Sequence, residues 1–369
     1  MKFSLKKCIN AAIMLLLILV SQQEISGLQV TGLYSHRIAV SNESDSERNR
    51  AFQEAFKAVI VKITGSRSWL ADPNIERAIA GAQSYVEAIR YESRDSSQIL
   101  DIDINEPENR NEKGFIEVSF SSSLIQKLLA DANIPIWNSN RPSVLIWMVL
   151  QDASGSRTLL SEESNPDISE YFQNFASNRA IPIIFPVLDF EDRQNLSEQD
   201  VWRLDSDKII EASLRYGADS ILSGRLHFTS GGELIGLWQF IFQDEAEVFD
   251  GVEKNLNDYL QMPLDRITNR LANYFAVVSD SQPQETVRLK IEGIRNLGTY
   301  TALMNYVSGL GLVYSVKAAN LDSGTIQLEL DLLGEAAQLF EVIALDRDLM
   351  PIENFQAGDR NSLHYRWTR

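Results

Sequence analysis

The chain of 369 residues has few of the side chains that most catalytic and metal sites use. It contains one cysteine, Cys8, and three histidines, His36, His227 and His364. A single thiol excludes an internal disulfide, and the widely spaced histidines fit neither a His-Glu-x-x-His zinc motif nor a two-histidine cluster. We therefore expect no cofactor and no resident metal ion.

Positive charge is also scarce. The chain has 34 lysine and arginine residues against 51 aspartate and glutamate residues, which gives a formal net charge of -17. Binding of nucleic acid without regard to its sequence depends on basic side chains that neutralise phosphates. The charge balance therefore argues against a nucleic-acid partner.

The sequence has neither a P-loop, which would bind phosphate, nor the Gly-x-Ser-x-Gly motif of a serine nucleophile. The stretch RYGADSILSGRL, residues 215–226, places two glycines between a helix-like and a strand-like run. Gly217 follows the helix, which is typical of a left-handed C-terminal cap, whereas a phosphate needs a helix N-terminus. We expect no nucleotide here, and we interpret the mid-strand Gly224 as a site of close packing.

No apolar run is long enough to span a membrane. The run AAIMLLLILV, residues 11–20, follows the lysine-rich start MKFSLKK and is shorter than the roughly 20 residues that a spanning helix needs. This layout predicts a signal peptide at residues 1–27, a periplasmic mature protein and no stable membrane insertion after cleavage. Because Ala-x-Ala is absent, an uncleaved anchor is the alternative; Cys8 precedes the apolar run, which argues against lipidation.

The hydrophobic pattern divides the rest of the chain into three predicted domains. Residues 28–140 form an α+β domain, whose first helix begins at a capping box of Ser44 and Glu47 and ends at Gly65. Residues 141–280 begin with the continuously apolar run VLIWMVL and then alternate helices and strands. This alternation predicts a mixed α/β sheet in the middle of the chain, with parallel pairing.

The third predicted domain, residues 285–369, is a ferredoxin-like unit with a tail. TVRLKIEGI, LVYSVKAAN, TIQLELDLL and LMPIE have the composition of strands, and YTALMNYVSGL and EAAQLFEVIAL that of helices. Their order along the chain is βαββαβ, the ferredoxin-like arrangement. The expected fold class is therefore α/β and α+β, in a multidomain chain.

Four ordered blocks of the sequence resemble a known family. They are RNRAFQEAFKAVIVKITG, IPIWNSNRPSVLIWMVL, IPIIFPVLDFED and RYGADSILSGRL. Together they resemble the Gram-negative envelope protein family called domain of unknown function two thousand and sixty-six, which has no established activity. The part GADSILSGRL is similar to a helix-turn-strand element of amino-terminal TolB domains and of the curli secretion lipoprotein CsgG. That similarity implies a role in protein contacts in the periplasm.

One acidic stretch, DIDINEPENRNE, has the spacing of a calcium loop. Asp101, Asp103, Asn105 and Glu112 occupy ligand positions of an EF-hand loop. Glu106, however, stands where the sharp turn requires glycine, and the flanking segments have the pattern of strands instead of helices. A solvated connection between strands is therefore the favoured interpretation, with calcium binding as the alternative.

Two neighbouring strands supply the candidate partner-contact residues. Side chains alternate along a strand, so Arg225 and His227 share one face of SILSGRLHF, and Gln239 is expected on the same face of the next strand. Arginine is enriched at protein interfaces, which favours contact of this face with another protein. A solvated face, or one covered by the chain itself, is the alternative.

Taken together, these patterns predict a non-enzymatic protein-interaction module in assembly or maintenance of the cell envelope, with envelope proteins as partners. The alternative is a hydrolase that acts on an envelope polymer through paired carboxylates, since active sites need no short motif. A deep pocket with paired acids would favour the hydrolase, and a flat, apolar or groove-like surface would favour protein contacts.

Export is tested by fusing residues 1–40 to a reporter that is active only outside the cytoplasm. We expect reporter activity, because a lysine-rich start followed by a short apolar run directs secretion. A fusion that accumulates but stays inactive would contradict the periplasmic location.

Overall fold

The computed structural model describes residues 30–93, 114–229, 231–243, 245–278, 283–346, 348–352 and 362–368. The expected signal peptide and the candidate calcium residues Asp101, Asp103, Asn105 and Glu112 lie outside the described residues. Within the described residues, no helix is both long and apolar enough to cross a membrane. These residues form three sheets with helices packed on them, which confirms the predicted mixture of α/β and α+β structure.

The first sheet has three antiparallel strands in the order β1-β3-β2. The elements of this unit are β1 (Ser35–Val40), α1 (Asp45–Thr64), α2 (Pro73–Ala80), β2 (Val86–Ser93), β3 (Gly114–Phe120) and α3 (Ser122–Asp131). The apolar residues of α1 that recur at helical spacing, Phe52, Phe56, Val59 and Ile63, are all buried in the core of this unit.

Helix α1 begins and ends where the sequence predicts, with one difference at its start. The Ser44 side chain accepts a hydrogen bond from the N–H of Glu47 at 3.3 Å. The Glu47 carboxylate accepts from the N–H of Ser41 at 3.0 Å, because the Ser44 N–H already donates to the Asn42 side chain at 2.9 Å. The expected capping box is therefore only half formed. Gly65 ends the helix in the left-handed region, with φ of 70°.

The second sheet is mixed, with strand order β5-β4-β7-β8-β9 and a short β6 beside β4. The elements of this unit are β4 (Val144–Gln151), β5 (Arg157–Leu159), α4 (Pro166–Arg179), β6 (Ile183–Ile184), α5 (Phe190–Asn195), α6 (Glu198–Arg203), α7 (Ser206–Ser213), β7 (Ser220–Phe228), β8 (Leu234–Phe242), β9 (Glu245–Glu253) and α8 (Leu256–Phe275). The apolar strand β4 is buried and pairs in parallel with β7, which confirms the prediction from VLIWMVL.

Two strands of the second sheet differ from the prediction. IPIIFPVLDF has the composition of a long strand, but only the two residues of β6 pair with β4. Pro182 and Pro186 flank β6 and have no N–H to donate, so the pairing cannot extend along the chain. Strand β9 was not predicted, and it pairs with β8 along its whole length of 9 residues.

Gly224 in β7 permits close packing between neighbouring strands, as predicted. A Cβ at this position would lie 2.3 Å from Cε3 of Trp238, its partner on β8, so a larger residue would displace the indole ring. Trp238 is fully buried and packs against Tyr259 of α8, with ring centroids 5.7 Å apart. The glycine therefore lets the indole lie flat on β7 and fill the space under α8.

The third sheet has the strand order β11-β12-β10-β14-β13. Its unit contains β10 (Glu285–Glu292), α9 (Leu297–Gly309), β11 (Val313–Asp322), β12 (Thr325–Leu332), α10 (Ala336–Asp346), β13 (Leu349–Pro351) and β14 (Ser362–Trp367). The order βαββαβ is confirmed up to β13. The tail, however, supplies β14, which lies between β10 and β13, where a ferredoxin-like sheet would pair its first and last strands directly.

The second and third sheets share one apolar core. Leu271 and Phe275 of α8 belong to the same cluster as the buried residues of β10 and β12. The Tyr274 hydroxyl donates to the Glu341 carboxylate at 2.9 Å, and the Gln338 amide donates to the Tyr274 carbonyl at 3.0 Å. Helix α8 therefore contacts both sheets. The division of the chain into separate domains at residues 140 and 280 stays a prediction.

Replacing Trp367 by alanine tests the insertion of β14. Trp367 is 5% exposed, and its ring centroid lies 5.3 Å from that of Tyr306. The change is expected to lower the free energy of unfolding by about 3 kcal/mol, measured by chemical denaturation, because a buried cavity is created. Arg366→Ala is the control on the same strand: its side chain is 63% exposed, and a loss of about 0.5 kcal/mol or less is expected. Equally small losses for both variants would contradict the placement of β14.

Candidate functional site

The sheet face that carries the predicted contact residues is largely covered by the chain itself. Gln239 is 4% exposed; its Nε2 donates to Ser206 Oγ at 2.8 Å, and its Oε1 accepts from Ser223 Oγ at 3.2 Å. The cover comes from α6 and α7, whose Val201 and Ile209 pack against this face. The expectation that Gln239 is open to a partner is therefore wrong.

Arg225 and His227 are half-buried on the same face. Arg225 Nη1 donates to the Trp202 carbonyl at 2.9 Å, and its guanidinium carbon lies 5.4 Å from the Trp202 ring centroid. Nδ1 of His227 is buried and has no hydrogen-bond partner among the described residues. Contact of Arg225 and His227 with another protein stays a prediction.

A network of charged groups joins the start of α5 to the turn after α7. Arg215 donates to both carboxylate oxygens of Asp189, at 2.7 and 2.9 Å, and to Asp192 at 3.0 Å. Asp192 is 1% exposed and also accepts from the Tyr216 hydroxyl and, at 2.8 Å, from the N–H of Leu188. These bonds hold residues 187–192 against residues 214–216.

The groups of this network shift one another's pKa values. Hydrogen bonds from Arg215 hold the pKa of Asp189 well below its usual range. Burial, together with the hydrogen bond to Asp192, raises the pKa of the Tyr216 hydroxyl above its usual value. Asp189 is therefore ionised and Tyr216 is neutral at neutral pH, so the ion pair of Asp189 with Arg215 is maintained there.

Apolar side chains surround this network at the surface. The apolar patch consists of Val187, Phe190, Ile210 and Leu214, which are 70%, 82%, 39% and 73% exposed. The N–H of Val187 donates to the Tyr216 hydroxyl at 2.9 Å. Phe190 directly follows Asp189, and Leu214 directly precedes Arg215, so the ion network fixes the backbone on which the patch lies.

Sequence reasoning missed the apolar patch because its residues have the pattern of a core. Val187 and Phe190 lie in IPIIFPVLDF, whose composition favours a buried strand, and Ile210 follows the buried Ile209. A signal was present in the helix, since Ile210 and Leu214 are one turn apart on a side that the buried residues of α7 do not share.

An open groove of about 1080 Å³ adjoins the apolar patch. Its lining combines apolar residues of the segment after β6 with three carboxylates and several hydroxyls. The apolar members include Phe185, Pro186 and Val187, and the carboxylates are Glu162, Glu163 and Glu198. No cluster of three or more possible metal ligands occurs among the described residues. Arg193 also lines the groove, so apolar, acidic and basic side chains all border this space.

The amino-terminal part of the chain matches a family model. The model is described as a domain of unknown function (DUF8605), and the match covers residues 28–138. It is a different model from domain of unknown function two thousand and sixty-six, so the resemblance to that family stays a prediction. The match spans the first sheet with its helices. No curated protein matches this chain.

Solved structures show a weak similarity to part of the chain. The LpoB C-terminal domain from Salmonella enterica is 18% identical, with 31% of this chain and 83% of that chain covered and a TM-score of 0.23. A crystal structure of an uncharacterised protein is 12% identical, with 36% of this chain and 88% of that chain covered and a TM-score of 0.16.

Tyr216→Phe tests whether the ion network positions the patch. The variant loses the hydroxyl that joins Val187 to Asp192, and we expect the free energy of unfolding to fall by about 1.5–3 kcal/mol, because the hydrogen bond is made to a charged group. Amide exchange at Val187 should accelerate. Tyr314→Phe, at a tyrosine that is 58% exposed, is the control and should leave both quantities unchanged. Unaltered exchange at Val187 in the Tyr216 variant would contradict the positioning role.

Proposed function

We propose that the protein is a non-enzymatic protein-interaction module of the cell envelope, active in its assembly or maintenance. The observation that carries this proposal is the apolar patch. Val187, Phe190 and Leu214 are each at least 70% exposed and lie around one arginine-centred ion network. Large apolar groups grouped at a surface beside an arginine are typical of a protein-binding site.

The rigidity of the patch supports the same proposal. Segments that must order themselves on binding reduce affinity, whereas groups fixed beforehand do not. Asp189 caps α5 by accepting from the N–H of Asp192 at 3.0 Å, and Arg215 holds both carboxylates. The patch is thus held in place by bonds within the chain before any partner arrives.

The location of the protein is part of the proposal. Residues 1–27 have the layout of a signal peptide, and Cys8 precedes the apolar run, so we assign the mature chain to the periplasm without a lipid anchor. The resemblance of the sequence blocks to domain of unknown function two thousand and sixty-six and to TolB-like elements supports envelope proteins as partners. Neither nucleic acid nor nucleotide enters the proposed function.

A second candidate function is hydrolysis of an envelope polymer. The observation that favours it is the groove, in which Glu162, Glu163 and Glu198 line one open space. Paired carboxylates can act as acid and base on a glycosidic bond when their separation suits the chemistry. Polymer-degrading activity of the purified chain that is lost in Glu163→Gln would support the hydrolase over the interaction module.

Site-specific cross-linking tests the interaction module. A photoreactive phenylalanine analogue at position 190, in cells that export the chain, is expected to give a discrete product with an envelope protein. The same analogue at Leu297 is the matched control, because Leu297 is 78% exposed but lies at the start of α9, in the unit of the third sheet. Little product is expected from that position.

A charge substitution in the patch provides the second arm of this experiment. The double variant Phe190→Asp with Leu214→Asp should no longer pull down the partner protein that the cross-linking identifies. Its melting temperature should be nearly unchanged, because both side chains are exposed. Equal cross-linking from positions 190 and 297, or full capture by the double variant, would contradict the proposed function.

A further inference from the structure

Strand β9 forms an edge of the second sheet. It pairs with β8 through an unbroken register from Leu234↔Glu253 to Phe242↔Glu245, without a bulge. No strand pairs with its other side among the described residues. The sequence of β9, EAEVFDGVE, contains neither proline nor lysine, two of the residues that proteins use to keep edge strands from pairing, and its charged residues are all acidic.

One face of β9 is fixed by α8. Phe249 is 7% exposed and contacts the Arg266 guanidinium carbon, which lies 4.6 Å from the ring centroid. The Glu247 carboxylate accepts from Arg266 and, at 2.6 Å, from Arg270. These contacts hold β9 against α8. The backbone N–H and C=O groups of its free edge are therefore already in an extended conformation before a partner binds.

The opposite face of β9 is uncovered. Ala246, Val248, Asp250 and Val252 are all exposed, with values of 52% for Val248 and 58% for Val252. On β8, Ile235 lies directly opposite Val252 and is 42% exposed. Helices α6 and α7 therefore cover this side of the sheet at Gln239 but leave an apolar strip beside the free edge.

We infer that β9 binds an extended segment of a partner protein as an additional strand, and that this segment alternates apolar with basic residues. The inference rests on the proposed function and specifies how a partner binds, at a surface other than the apolar patch. Main-chain hydrogen bonds to the free edge supply the affinity, and alternate side chains supply the specificity. Apolar side chains of the added strand would pack beside Val248 and Val252.

Charge selects the occupant. Strand β9 has four carboxylates and no basic residue, and those of Asp250 and Glu253 have no ion-pair partner among the described residues. Glu245 and Glu247 pair with arginines of α8. A second copy paired antiparallel about Phe249 would place Glu245 opposite Glu253 at both ends, and like charges opposite one another destabilise a sheet. The net charge of -17 also opposes self-association. A basic strand of another protein meets neither obstacle.

Peptide binding to the full chain tests the inference. The probe is a peptide of alternating lysine and valine with the 9-residue length of β9, compared with a peptide of alternating glutamate and valine. Fluorescence anisotropy at physiological salt should give a dissociation constant about tenfold lower for the lysine peptide. Backbone amides of β9 should gain about tenfold protection from hydrogen exchange, because the free edge becomes paired.

Variants of β9 locate the binding. Val248→Lys with Val252→Lys should weaken the lysine peptide by about tenfold, since edge lysines oppose strand addition and both positions are exposed enough to keep the fold. Glu253→Lys alone, on the face that the lysines of the peptide would share, should reduce the preference for the lysine peptide over the glutamate peptide. Leu321→Lys is the matched control: Leu321 is 57% exposed on β11, an edge strand of the third sheet, and its substitution should leave affinity unchanged.

Binding without protection of the β9 amides would overturn the inference, as would an affinity that the β9 variants do not change. A chain that dimerises through β9 would overturn the choice of occupant. Each of these results leaves the cross-linking from position 190 unaffected, so a failure of strand addition is separable from a failure of the proposed interaction module.

Discussion

The arrangement of the first two sheets depends on a buried guanidinium. Arg141 is 3% exposed and donates to the backbone carbonyls of Lys62, Trp137, Asn138, Arg179 and Ala180. The carboxyl ends of α1 and α4 supply three of these acceptors, and helix carboxyl ends carry partial negative charge. Burial lowers the pKa of Arg141, yet five carbonyl acceptors compensate the lost hydration of the cation. The cation thereby fixes α1 to α4 without an acidic partner.

A second buried arginine extends this junction to α8. Arg179 is 1% exposed and donates to the Gly65 carbonyl at 2.7 Å, to Asn269 at 3.2 Å and to the Asp265 carboxylate. Helix α8 is the element that packs against β9 and contacts the third sheet. The position of β9 therefore depends on α8, which Arg179 joins to the end of α1. A displacement at the arginine junction would move the free edge of β9 with it.

Local patterns were sufficient for α1, β4 and the β7–β8 hairpin, because each has its own periodicity or cap in the sequence. They were insufficient for β14, whose pairing with β10 joins residues far apart in the chain. Strand β9 was not predicted because Phe249 is its one buried apolar residue. Its other apolar side chains are exposed, so the strand lacks the alternation of buried apolar and exposed polar residues that marks a core strand. For Gln239, alternation gave the correct face, but the covering helix α7 precedes it by some thirty residues. Which element covers a face is a tertiary property.

The way Arg141 is bound has a consequence for how such chains diverge in evolution. All five of its acceptors are main-chain oxygens, which every amino acid provides. A substitution at Asn138 therefore leaves its carbonyl in place for the junction, whereas a change at Arg141 loses all five bonds at once. Lysine is no substitute, because its single ammonium cannot reach acceptors spread around a planar fork. In a sequence comparison of distant relatives, this junction would therefore be marked by one shared arginine and by no other shared residue.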